Sequence, residues 1–201
     1  MKRMGPAQTK KYLDEICGQC DFCLAAIAAV KEASGTLLAD PAQTFPRLHE
    51  YMTEIFRNLH SVAIHAMAVS RILWPRASRH SRRAAYLREL AGLDTENTLP
   101  HQVRNHLEHF DERLDRWAMN ASAGDVDWNV GPVETRQAFA PETVLRWYDP
   151  YTSTYWVLDD ALEIEPLSAA IHKIRFRAER ARQKVEDARR AGVDLGVSMR
   201  E

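Results

Sequence analysis

Arg104, Asn105 and His109 are the residues of this sequence whose types and spacing best suit chemistry at a phosphate. Histidine moves protons near neutral pH. Arginine offers a fixed fork of donors that stays protonated and so suits negative charge gathering in a transition state. Asparagine can hold a phosphate oxygen or orient an imidazole. Spacing alone says little. With 21 Arg and 8 His in 201 residues, an Arg with a His five positions later is expected ~0.8 times by chance. Requiring Asn directly after the Arg, with 5 Asn in the chain, lowers the expectation to about 0.02. Arg57-Asn58 repeats the pair, but no His follows at that distance.

Arg104-Asn105-His106-Leu107-Glu108-His109, at the start of a late helix, resembles the catalytic motif of the HEPN superfamily of helical-bundle ribonucleases. In that family an Arg is followed after four to six residues by a His, often with a polar residue second. The resemblance implies an endoribonuclease that needs no metal. His109 would act as acid and base, Arg104 would stabilise the transition state and Asn105 would position. The product would carry a 2′,3′-cyclic phosphate. It further implies a site shared across a homodimer and, for many members, a toxin or defence role with an antitoxin partner. It spans residues 9–119 as a bundle, but only these three residues carry it at motif strength.

Helix geometry bears on the same residues. At about 100° per residue, Asn105 and His109 fall on one side of the helix, one turn apart. Val103, Leu107, Phe110, Leu114 and Trp117 step by four, three, four and three along a different side, the pattern of a packing seam. Arg104 lies at the seam's edge, from which a long side chain can swing towards His109. The plainer alternative is a solvated stripe of Asn105, His109, Glu112 and Arg116, with Glu112 and Arg116 at ion-pair spacing.

Four further groups of residues invite the same weighing. Arg71, Arg76, Arg79, Arg82, Arg83 and Arg88, with His80, form a basic segment free of acids until Glu89. Arg76, Arg79, Arg82 and Arg83 are expected to run an RNA backbone towards the site, against the alternative of a solvated helix. A second basic run, 173–184, reads as the polar face of an amphipathic helix. Cys17, Cys20 and Cys23 are spaced three apart; a fourth ligand is missing, so they read as small buried apolar residues. His60, His65, His101, His106, Glu108 and His109 raise a metal alternative, but no metal or other cofactor is expected. Trp147, Tyr148, Tyr151, Tyr155 and Trp156 could stack on bases, yet such residues more often fasten a hairpin.

The elements that must position these residues are mostly helical. Periodicity predicts helices over 9–34, 46–73, 77–91, 100–119 and 166–191. Thr9 is the expected first cap, Gly35 and Gly92 the expected stops, and Trp74-Pro75 ends the second helix. Residues 121–141, rich in Gly, Asp, Asn and Pro, are expected to be loop. Residues 144–149 and 154–158 predict a β-hairpin around Asp149-Pro150, with a possible third strand at 162–164. The expected fold is therefore mainly α: a HEPN-like up-and-down bundle of four or five helices with a small β-hairpin before the C-terminal helix. Residues 1–201 are expected to form a single domain, with 9–119 as bundle core, 121–165 as loop and hairpin, 166–191 as last helix and 192–201 as flexible tail.

Composition bounds the rest. The formal net charge of -1 means that nucleic-acid binding must come from local segregation of charge. No uninterrupted apolar run approaches the roughly 20 residues of a membrane span, and the first fifteen residues do not resemble a secretory signal. Three clustered cysteines point to a reducing, cytoplasmic setting with no membrane partner. Two other functions compete with the ribonuclease: a non-catalytic helical interaction module and a divalent-metal-binding bundle.

Overall fold

The computed structural model describes residues 4–40, 44–97, 99, 109–119 and 125–193. The chain is mainly helical, with a small four-stranded sheet placed before the last helix. Helix α1 spans Pro6–Ala39 and α2 spans Phe45–Leu73. A 3-10 turn at Ser78–His80 leads into α3, Ser81–Ala91, and α4 covers Phe110–Met119. Strand β1 (Val126–Val130) and the single turn α5 (Val133–Arg136) follow. Then come β2 (Val144–Asp149), β3 (Thr154–Val157), β4 (Asp160–Glu163) and the long α6 (Ile164–Arg190).

Helix α1 is the hub. Its buried stripe, including Leu13, Ile16, Cys20, Cys23, Ile27 and Val30, packs on both α2 and α6. Both neighbours run antiparallel to it. Gln19 meets His65 while Cys23 meets the Val62 carbonyl. On the other flank Asp14 pairs with Arg182, Cys17 faces Glu179, and Asp21 pairs with Arg175. In the basic run of the last helix, Arg175 and Arg182 are thus answered by acids on α1, and Lys173 reaches Asp94. By length and composition α1 would also suffice to cross a bilayer, which counting uninterrupted apolar residues had not revealed.

Helix limits differ from the expected ones at α1. It begins at Pro6, whose ring presets the first helical φ, behind an N-cap at Gly5, and Thr9 is buried one turn in. It also runs through Gly35 to Ala39. The ~1 kcal/mol that an interior glycine costs is offset by packing of Leu37 against the core. Gly92, by contrast, stops α3 as expected, with φ at +62° and the Leu93 N–H donating to the Arg88 carbonyl at 2.8 Å.

Two further expectations are corrected. Residues 121–141 are not all loop: β1 pairs in parallel with β2, Trp128 beside Arg146, and residues 131–143 form the crossover. Parallel neighbours need a connection of about a dozen residues or more, which this segment supplies. The hairpin itself is present, with Trp147 opposite Trp156 and Tyr148 opposite Tyr155, and β4 extends it antiparallel. The second correction concerns α4. Phe110 and Trp117 are only half-buried and Leu114 is exposed, so their seam does not lie in the helical core. Instead Arg113 bonds the Val157 carbonyl and Asp160, and the Trp117 indole donates to the Thr143 carbonyl, docking α4 on the sheet.

The sheet is buried on both faces. Trp128, Tyr148, Tyr155, Val157 and Leu162 join the helical core, and Phe56 of α2 contacts the rings of Trp128 and Tyr155. The other face carries Trp147 and Trp156 under the crossover. Trp147 donates to the Gly131 carbonyl at 2.7 Å and meets Phe139, while Arg136 lies 4.7 Å from the Trp156 ring centroid. Buried Asp149 holds the corner: one carboxylate oxygen accepts from the N–H groups of Tyr151 and Thr152, the other from Val133.

Candidate functional site

His109 sits in a turn directly before Phe110 of α4, and its carbonyl accepts from the Arg113 N–H at 3.1 Å. Its side chain is 47% exposed, and Glu112 Oε2 lies 3.2 Å from His109 Nδ1. A carboxylate at Nδ1 favours the proton there and leaves Nε2 as the basic nitrogen, the arrangement a general base needs. Asp111 and Glu112 also suit the first turn of a helix, whose free N–H groups carry partial positive charge. The imidazole opens on a groove of about 420 Å³ that also includes Arg113, Arg116, Asp159 and Asp160. Asp160 is neutralised by Arg113, itself mostly buried.

Arg104 and Asn105, with His101, His106 and Glu108, lie outside the described residues. Of the motif, His109 alone can therefore be described. Its partner Glu112 is an i,i+3 neighbour, and the same side chain also has ion-pair spacing to Arg116.

A second groove, of about 400 Å³, lies on the other side of the same turn. Phe110, Trp128 and Tyr155 supply aromatic surface, and Arg57, His60 and Arg146 stand at its polar edge. Arg57 is held by Glu54, whose carboxyl is kept below the usual carboxylate range by hydrogen bonds from Arg57 and then Asn58. Arg146 pairs with Asp127 at 2.7 Å, while its buried Nε has no hydrogen-bond partner among the described residues. Arg57-Asn58 has no His at the motif's distance. The available signal was His60 at i+3, one turn along the same face.

The basic segment divides. Arg83 turns inward: it donates to the Ile72 carbonyl at 3.2 Å and lies 4.9 Å from the Tyr12 ring centroid. Arg88 likewise bonds the Leu73 carbonyl. These two side chains satisfy the last carbonyls of α2, which have no intrahelical donors. Arg76, Arg79 and Arg82 are exposed, and Arg79 donates to the His80 ring at 3.1 Å.

Cys17, Cys20 and Cys23 are free and buried in the α1 seam. Burial raises all three thiol pKa values, Cys17 to about 11 and Cys23 to about 12. Among the described residues no three His, Cys, Asp or Glu side chains converge so as to hold a metal ion. His60 faces the second groove, whereas His65 Nδ1 lies 2.7 Å from Gln19 Oε1 and burial lowers its pKa.

Comparison with protein-family models gave no match, nor did comparison with curated proteins or with solved structures.

Proposed function

We propose that this chain is a metal-independent endoribonuclease of the HEPN kind, working as a homodimer. The observation that carries the reading is the His109–Glu112 pair: an imidazole outside the core, open to a groove, with a carboxylate 3.2 Å from Nδ1. His109 Nε2 takes the proton of a ribose 2′-OH. The 2′ oxygen then attacks phosphorus, the bond to the 5′ oxygen breaks, and that oxygen leaves with a proton from the His109 of a second copy. Arg104 neutralises the charge gathering on the phosphate oxygens, and Asn105 positions them.

The test is cleavage of a mixed tRNA and messenger-like RNA pool in EDTA. Wild type is expected to cut and leave 2′,3′-cyclic phosphate ends, and His109→Ala or Arg104→Ala to abolish cutting. Equal cutting by all three proteins, or none by folded wild type, would leave a non-catalytic interaction module as the better account.

A further inference from the structure

We infer that the groove lined by Phe110 is a pocket for one unpaired nucleotide of the RNA substrate, its base between aromatic side chains and its phosphate at the arginine edge. That RNA supplies the nucleotide rests on the ribonuclease reading above. The pocket itself stands on four independent features of the groove.

The first is size. At about 400 Å³ it falls in the usual range of roughly 300–1,000 Å³ for small-ligand sites. The second is surface. Phe56 and Tyr155 form a buried floor, and the half-buried rings of Trp128 and Phe110 stand at its sides. Trp128 is held in place by Phe56 of the floor, with ring centroids 5.4 Å apart, and by His49 outside the pocket, at 5.5 Å. A ring already held loses little freedom when a base stacks on it. Each base has a π face, so such a wall accepts any of them.

The third feature is charge. The lining includes Arg57, Arg146 and His60 and no carboxylate, whereas the neighbouring His109 groove includes three, Glu112, Asp159 and Asp160. Glu54 and Asp127 engage the two arginines from outside the pocket, leaving each guanidinium further donors for an anion. The phosphate edge and the acid–base groove are thus electrostatically distinct. The fourth is position. Phe110 and Val157 line the pocket, while His109 and Leu158, their chain neighbours, line the other groove. The two cavities flank one contact between α4 and the sheet, so a strand with one base in the pocket passes the imidazole. Stacking between these rings needs a base whose faces are free, which an unpaired nucleotide offers.

Calorimetric titration of the whole protein with AMP, GMP, CMP, UMP and adenosine tests the pocket. Saturable binding is expected. Trp128→Leu should weaken every ligand by about tenfold, the scale of one lost base stack. Arg57→Ala, at the exposed rim, should weaken AMP several-fold while leaving adenosine unchanged. A non-cleavable 2′-O-methyl pentamer should displace AMP, and the same sequence in a duplex should not. No saturable nucleotide binding to folded protein, or binding that survives both substitutions, overturns the pocket. AMP that the pentamer cannot displace overturns the assignment to RNA. Normal cleavage by both pocket variants would overturn the assignment to the RNA substrate and leave the ribonuclease standing. AMP binding without cleavage of any RNA would do the reverse.

Discussion

His109 and Phe110 are neighbours in the chain yet open on different cavities, His109 on the groove with Asp160 and Phe110 on the groove with His60. One turn therefore presents an imidazole to one side and an aromatic wall to the other. What holds that turn is Arg113, which ties α4 to the end of β3 and to Asp160.

Arg113→Ala is expected to lower stability by about 1.5–3 kcal/mol, the range for a hydrogen bond to a charged group. It should also slow cleavage, because the turn loses its tether. Denaturant unfolding with rates measured on the same preparation checks this. Unchanged rates in a clearly destabilised variant would show that the tether does not set the site.

Glu112→Gln keeps the size of the side chain and removes its charge. If Glu112 orients His109, kcat should fall roughly tenfold, below the ~100-fold or more attached to loss of the general base itself. Thermal unfolding should barely move, since both groups are largely exposed. A variant as active as wild type would remove Glu112 from the mechanism.

Arg76, Arg79 and Arg82 are expected to act together on RNA affinity, and Arg83 on stability. Replacing the three exposed arginines with Gln should flatten the salt dependence of single-stranded RNA binding by about 0.7 in log–log slope per lost contact. Arg83→Gln should leave that slope alone and lower stability, because it strips a donor from the Ile72 carbonyl and a cation from the Tyr12 ring. The reverse pattern would mean that Arg83 leaves Tyr12 when RNA binds.

Asp149→Ala leaves the N–H groups of Tyr151, Thr152 and Val133 without their acceptor at a buried corner. A loss of about 2–4 kcal/mol is expected for several buried donors left unpaired. Denaturant titration reads it directly, and near-ultraviolet circular dichroism should report loosening around Trp147.

The buried thiols set an alkaline limit. Burial holds their folded pKa values above the ordinary thiol value of 9.0, Cys17 at about 11 and Cys23 at about 12. The unfolded chain therefore loses these protons first as pH rises. Their contribution to stability is complete below about pH 9 and is lost as pH climbs towards 11 to 12. Stability should decline over that window, and less steeply in Cys17→Ser. At pH 8 the native thiols should resist iodoacetamide and react once urea unfolds the chain.

Local pattern made much of the fold legible. Apolar residues at spacings of three and four gave α2 and α6 to within a residue or two, because each helix's own backbone fixes which side chains share a face. Trp74-Pro75 and Gly92 stopped helices for reasons carried by single residues. The strand β1 was also written locally: Val126, Trp128 and Val130 alternate with Asp127 and Asn129. The turn-rich composition around it hid that period.

What the sequence determined by itself was a mainly helical chain, a hairpin of aromatic pairs and a His that an i,i+3 carboxylate can reach. All of these depend on neighbours within a turn or a hairpin. Tertiary structure decided which face α4 shows to what. Its seam reads as a bundle core on a helical wheel, yet Arg113 and Trp117 dock it on the sheet. It also decided that Arg83 caps another helix rather than facing solvent, and that Arg57 and His60 share a cavity with Arg146 of β2. Contacts between residues 11 to 89 positions apart leave no trace in a local period. They are set by which surfaces fit once the helices and the sheet meet.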